Sequence, residues 1–209
     1  MPSEAFETFR KSMSIGYEEW HDGIGYDLNA LAEMDENELS RAEDLVVARN
    51  ISDWRDVEAL DRIGSDRALG EVKKALGSTA IEVQIPAAEC LARRNLIAEE
   101  EVEGIIVEAL DHATILNGMV ATLRFATAHP TPAVSRKLMW CALHGHDDLR
   151  VHAAALAHFL SGGSSSEFDW AFRPFYLRFA DKEMHARKSA FMEFCAMTGV
   201  DPLMIDSGG

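Results

Sequence analysis

Apolar residues recur every three or four positions along most of the chain, which is the spacing of one face of an α-helix. After Ser3, for example, Phe6, Phe9 and Met13 follow at this spacing. Signals typical of strands are nearly absent. The pattern therefore predicts an all-α protein.

Residues that start and stop helices divide this pattern into short segments. Asp27 precedes a short apolar segment, and Asp35 with Glu38 forms a D-x-x-E capping box. Further predicted N-caps are Ser3, Ser52, Ser65, Ser78 and Thr131, and predicted stops are Gly64, Gly77, Gly145 and Gly199. The helices from residue 52 onward span 10–16 residues and most links between them are short. This organisation is typical of a helical array.

One leucine recurs at a nearly constant interval within the array. Leu60, Leu91, Leu123 and Leu156 are separated by 31, 32 and 33 residues, and Phe191 or Met192 continues the series. In three of these helices a pair of small residues precedes the recurring apolar residue: Ala87-Ala88, Ala153-Ala154 and Ser189-Ala190. Small residues let neighbouring helix backbones approach, so we expect the leucines to be buried in equivalent layers.

Residues 54–95 resemble the short HEAT repeats named after phycobilisome lyases. The matching positions are Val57, Ala59, Leu60, Ile63, Gly64, Arg67, Ala68, Leu69, Val72, Ala75 and Leu76. The resemblance implies an α-solenoid of stacked antiparallel helix pairs (HEAT-like) that forms a right-handed superhelix. Pro86 departs from the family pattern and predicts a kink. We expect a single domain, with a helical capping region at 1–50, repeats at 51–199 and a tail at 200–209.

Composition indicates the class of protein and the compartment to expect. Of 209 residues, 47% are apolar and 26% are charged, as in globular proteins, and no apolar run is long enough for a membrane span. The N-terminus lacks the layout of a signal peptide, so we expect a cytoplasmic protein. Cys90, Cys141 and Cys195 lie in separate apolar segments, so we expect reduced core thiols.

The formal net charge is −15, which argues against binding to nucleic acid or to an anionic membrane. Residues 1–104 hold 24 Asp/Glu and 11 Lys/Arg, whereas residues 105–209 hold 11 and 9. This imbalance indicates a surface suited to a basic protein partner. Alternatively, the acidity only keeps the protein in solution.

A histidine cluster is the candidate for metal binding. His144, His146, Asp147, Asp148 and His152 lie close together in sequence. The two aspartates are better explained as residues that favour the start of a helix, so we expect no metal and no cofactor. HEAT-type hydroxylases hold iron with His-Glu pairs, and the sequence contains no His-Glu dipeptide. HEAT-type DNA glycosylases need a basic surface, which the charge excludes.

The segment from Tyr17 to Asp22 combines acids, a histidine and aromatic residues. Adjacent carboxylates on one helix point apart, so Glu18 and Glu19 do not form an acid/base pair. We expect Trp20 and Tyr26 to seal the first repeat, or Trp20 and His21 to contact a partner. With no catalytic motif present, the sequence indicates a binding protein and not an enzyme.

Four acids form the predicted binding surface: Glu58, Asp61, Glu82 and Glu89. In the repeat alignment Glu58 and Glu89 are equivalent, as are Arg62 and Arg93. Alternatively, Glu58 with Arg62 and Glu89 with Arg93 form i, i+4 pairs that only stabilise their own helices.

The chain is predicted to bind a basic protein partner. In the sharpest form of this hypothesis it is an immunity protein that covers the active site of a toxin. A general adaptor or assembly factor is an alternative, and a chromophore lyase is the enzymatic alternative.

Overall fold

The computed structural model describes residues 2–14 and 16–206, without the side chains of Trp20 and Asp206. Within these residues the regular structure is helical and no strand occurs, which confirms the all-α prediction. The chain divides into two compact units, Met1–Leu96 and Ile97–Gly209. Their boundary falls inside the predicted repeat region.

The first unit contains α1 (Glu4–Ser12), α2 (Tyr17–His21), α3 (Leu28–Leu31), α4 (Glu36–Val47), α5 (Trp54–Ile63), α6 (Asp66–Ala75) and α7 (Ile81–Arg93). The second unit contains α8 (Glu99–His112), α9 (Met119–Ala128), α10 (Pro132–His144), α11 (Asp147–Leu160), α12 (Arg173–Tyr176), α13 (Met184–Thr198) and α14 (Leu203–Asp206). Two 3₁₀ turns, Trp170–Phe172 and Leu177–Ala180, flank α12.

Most predicted N-caps are confirmed by a hydrogen bond from a backbone N–H of the first turn. Ser3, Asp35, Ser65 and Thr131 each accept such a bond. Glu38 differs from the capping-box expectation, because its carboxylate accepts bonds of 2.6 Å from the backbone N and the Oγ of Ser3. It thereby joins the start of α1 to α4.

Two predicted N-caps are wrong by one or two residues. Asp53 caps α5 in place of Ser52, because its carboxylate reaches the N–H of Arg55, while the Ser52 N–H donates to Asp56. Ala80 occupies the N-cap of α7 in place of Ser78, whose hydroxyl accepts from the Ala80 N–H. Helix α7 continues from Ile81 to Arg93 with Pro86 inside it.

In the first unit, α5 packs against both α6 and α7, and α6 packs against α7. Asp61 of α5 accepts hydrogen bonds from Cys90, Arg93 and Arg94, which lie 29, 32 and 33 residues later. These separations bracket the interval of 31 residues read from the sequence. Asp61 therefore joins α5 to the last turn of α7.

A buried carboxylate fastens the N-terminal connection to α5. The Asp56 carboxylate is fully buried and accepts from Tyr26 Oη (2.8 Å), Arg49 Nε (3.1 Å) and Ser52 N (3.1 Å). Burial, followed by this bond to Asp56, raises the pKa of Tyr26. Just before Ser52, Ile51 has a left-handed φ of 43°, which is strained for a β-branched residue. The bond from Ser52 N helps to hold that backbone in place.

The leucine anchors are buried in three of the four predicted positions. Leu60, Leu91 and Leu156 are at most 3% exposed, whereas Leu123 is only half-buried. The prediction for Leu123 is wrong because α9 is turned so that Thr122 and Phe125 face the interior. In α13 the buried member of the series is Phe191, and Met192 is 56% exposed.

Residues 170–180 form α12 between two 3₁₀ turns, with Pro174 in the first turn of α12. The predicted tail also contains structure, because α14 packs against α10 and buries Ile205.

Side-chain donors near the start of several helices bind backbone carbonyls. Arg55 Nε donates to Ile24 O (2.7 Å), and Gln84 Nε2 donates to Leu76 O (3.0 Å).

Two buried arginines do the same in the second unit. Arg150 Nε donates to Phe179 O (2.9 Å). Arg187 donates to the carbonyl oxygens of Leu143 (3.2 Å), Asp181 (2.7 Å) and Lys182 (2.9 Å). These donors join links and helix ends that would otherwise lack hydrogen-bond partners.

The three cysteines are buried and free, which confirms the prediction of core thiols. Burial raises the pKa of the Cys90 and Cys141 thiols to about 12 and that of Cys195 to about 11. At neutral pH all three are protonated and therefore weak nucleophiles.

His158 occupies an aromatic environment in the second unit. Its ring is 2% exposed, its Nδ1 lies 2.9 Å from Tyr176 Oη, and the edges of Phe172 and Phe194 contact it. Burial lowers the pKa of His158, with Asp169 acting weakly in the opposite direction. The folded protein therefore holds this imidazole in its neutral form.

Replacing Leu91 by Ala should lower the free energy of unfolding by about 2–5 kcal/mol, because it leaves a cavity in the core. Leu123→Ala is the matched control and should cost less, since that side chain is half-buried. Denaturant unfolding of both variants measures the difference. An equal or larger cost for Leu123→Ala would contradict the burial described for α9.

The lowered pKa of His158 predicts a loss of stability in acid. The stabilising contribution is complete above the pKa of the unfolded state, about 6.5, and declines as the pH falls below it because the unfolded chain binds the proton first. Unfolding free energies at about pH 7.5 and pH 5.5 should therefore differ less in His158→Gln than in the native chain. The exposed His152→Gln is the control and should retain the native pH dependence.

Candidate protein-binding surface

The predicted binding residues all lie in the first unit. Glu58 and Asp61 are on α5, Glu82 and Glu89 are on α7, and His21 ends α2. Glu58, Glu82 and His21 are exposed, whereas Asp61 and Glu89 are half-buried. The side chain of the sixth predicted residue, Trp20, lies outside the described part of the structure.

Asp61 makes a structural contact between two helices. Its carboxylate forms ion pairs with Arg93 and with Arg94, whose Nε lies 2.8 Å away, and it accepts the Cys90 S–H at 3.1 Å. Arg94 also donates to the backbone oxygen of Asp61 (2.7 Å). Two guanidinium groups thus offset the Asp61 charge, so Asp61 has a structural role in the contact between α5 and α7.

The glycine-rich segment after α2 lies beside Glu58. A Cβ placed on Gly25 would be 3.5 Å from the Trp54 ring and 3.8 Å from the Glu58 carboxylate. Tyr26, one residue later, is held by Asp56 of the same helix α5. The structure therefore places Gly25 and Tyr26, which follow the predicted contact residues, beside α5.

We define the acidic surface as Glu58, Glu82 and Glu89. Glu82 precedes Glu89 by two turns of α7, about 10 Å along the axis, and Glu89 is equivalent to Glu58 in the repeat alignment. The acidic surface is thus spread over two packed helices, and Arg62 and Arg93 are close in sequence to its members.

The two structural units share the negative charge more evenly than the halves of the sequence do. Residues 1–96 hold 20 Asp/Glu and 11 Lys/Arg, a net of −9, and residues 97–209 hold 15 and 9, a net of −6. The difference from the sequence-based division arises because Glu99, Glu100, Glu101 and Glu103 belong to α8. Both units are acidic.

The residues of the histidine cluster have other contacts. The His144 and Trp140 rings lie 5.2 Å apart, and Asp147 pairs with Arg150 at 2.8 Å. In the part of the chain that the structure describes, no three His, Cys, Asp or Glu side chains form a group that could hold a metal ion.

Sequence reasoning missed a groove in the second unit. Its cavity of about 450 Å³ is lined by Val151, His152, Phe168, Trp170, Arg173 and Leu177. The aromatic-rich run from Phe168 to Tyr176 is a visible signal, but the sequence does not show that Trp170 is 74% exposed.

None of the helices in the described ranges is long and apolar enough to cross a membrane. Comparison of the chain with known proteins found no matching family model, curated protein or solved structure.

If Asp61 holds α5 against α7, Asp61→Ala should lower the free energy of unfolding by about 1–2 kcal/mol, because it removes charge-assisted hydrogen bonds that are partly shielded from solvent. Glu82→Ala, at an exposed position, should change it by less than about 0.5 kcal/mol. Denaturant unfolding distinguishes the two. Equal effects would show that the Asp61 ion pairs do not stabilise the helix contact.

Proposed function

We propose that the chain is a HEAT-like α-solenoid of stacked antiparallel helix pairs, wound as a right-handed superhelix, that binds a basic protein. The repeat interval of the buried leucines supports this architecture, as do the contacts of Asp61 with residues about 31 positions later. Helical repeats use extended surfaces to bind other proteins.

The acidic surface carries the functional proposal. Glu58 and Glu82 are exposed and Glu89 is half-buried, on two helices that pack against each other. Carboxylates on such a surface attract Lys and Arg side chains of a partner and raise the rate of encounter.

The narrower form of the proposal is an immunity protein that covers the active site of a basic toxin. A general adaptor for a basic partner uses the same acidic surface. The raised pKa values of the three buried thiols argue against a cysteine nucleophile, because a thiolate is the reactive species.

Reversal of the acidic surface tests the proposal. In a pull-down from the native cell, the chain should retain a basic protein that the triple variant Glu58→Lys/Glu82→Lys/Glu89→Lys fails to retain. Binding to the native chain should also weaken and slow with added salt, because ions screen the attraction between charges.

A charge-matched control separates this surface from net charge. Glu100, Glu101 and Glu108 are exposed on α8 of the second unit, and their reversal to Lys changes the total charge equally. The control variant should keep most of the binding. Both triple variants should keep the helical circular dichroism signal and a nearly unchanged melting temperature. Retained affinity in the Glu58/Glu82/Glu89 variant would refute the acidic surface as the interface.

A further inference from the structure

The groove of the second unit presents an unusual pair of side chains to solvent. Trp170 is 74% exposed, and the Arg173 guanidinium lies 5.6 Å from the centre of its ring. Leu177 is 42% exposed beside them, and Phe168 meets Trp170 edge to face at 5.7 Å. Tryptophan and arginine are, with tyrosine, the residue types enriched among those that dominate binding energy at interfaces.

The backbone that carries this pair is held by hydrogen bonds. The Asp169 carboxylate accepts from Ala171 N (2.9 Å), Ser165 Oγ (2.9 Å) and Ser165 N (3.3 Å). Tyr176 is buried at the other end of the segment, and its hydroxyl contacts His158. Trp170 is thus displayed on a fixed support, which lowers the entropy cost of binding.

The charge of the groove selects the kind of ligand. Arg173 is its only lining residue with a permanent charge, and no described carboxylate lies within 4 Å of its guanidinium. The neighbouring acid, Asp169, is engaged by Ser165 and Ala171. An apolar groove with one available cation complements an apolar group that lies next to an anion, because the local pairing with Arg173 acts at contact distance. The net charge of −6 on the unit opposes an anionic ligand at long range, where salt screens it.

We propose that this groove binds a segment of a partner protein in which an aromatic or large aliphatic side chain is adjacent to Asp or Glu. The apolar side chain packs between Phe168, Trp170 and Leu177, and the carboxylate pairs with Arg173. A volume of about 450 Å³ accommodates one or two large side chains. The ligand chemistry is opposite to that of the acidic surface, so this inference does not rest on the proposed function.

Blocked synthetic peptides titrated into the full chain test the proposal by NMR. The probe carries one phenylalanine flanked by two glutamates, and two comparison peptides carry lysine flanks or serine in place of phenylalanine. We expect saturable shifts of the Trp170 indole N–H, identified by its loss in Trp170→Phe, with the glutamate–phenylalanine peptide only. Arg173→Gln should weaken binding about tenfold, which corresponds to the loss of one charge-assisted contact.

Arg178→Gln is the matched control, because it removes the same charge at a position five residues after Arg173. The Arg178 side chain pairs with Glu193. Its affinity for the probe should stay within about twofold of the native value. Several results would overturn the proposal: no shift of the Trp170 resonance, equal binding of either comparison peptide, or equal losses in both arginine variants. A shift that depends only on protein concentration would overturn it too, by assigning the groove to a second copy of the chain.

Discussion

Buried and half-buried donors near helix starts hold the links of this fold in place. Arg55, Gln84, Arg150 and Arg187 each lie within the first four residues of a helix and donate to carbonyl oxygens of a link or a neighbouring helix end. The last carbonyls of a helix have no partner within it, and their dipoles favour a positive charge. A guanidinium can satisfy several of them at once. Short links between short helices depend on such donors, because a link has few apolar side chains of its own to bury.

The same use of charge decides which groups remain for binding. The Asp56 carboxylate accepts hydrogen bonds from Tyr26, from Arg49 and from the backbone N–H that follows the strained Ile51. Asp61 joins α5 to α7 through its ion pairs. The number of acidic residues in the sequence is therefore no guide to the surface, since several acids and bases pair with each other within the fold. What the acidic surface offers to a partner depends on the acids outside these contacts.

Local features of the fold could be predicted from the sequence, whereas features set by long-range contacts could not. The caps at Ser3, Ser65 and Thr131 depend on neighbours three residues away, and the interval from Leu60 to Leu91 records a repeated packing position. Leu123 was placed wrongly because the rotation of α9 is set by Thr122 and Phe125 in the tertiary structure. The ion pairs of Asp61 span about 30 residues, so an acid that looked available in the sequence is engaged in the structure. The groove was missed for the same reason, since periodicity alone cannot separate a core helix from two 3₁₀ turns around α12.

Residue type alone does not separate structural from functional positions in this chain. Arg55 and Arg173 each lie over a tryptophan ring, Trp54 and Trp170 respectively. Arg55 is buried, and its other contacts are the carbonyl of Ile24 and the carboxylate of Asp53, so its charge is paired within the fold. Arg173 is exposed and has no such carboxylate partner among the described residues. Arg173 lies next to exposed apolar side chains of the groove. A ligand that supplies both an anion and an apolar group can therefore contact the guanidinium and this apolar surface at once.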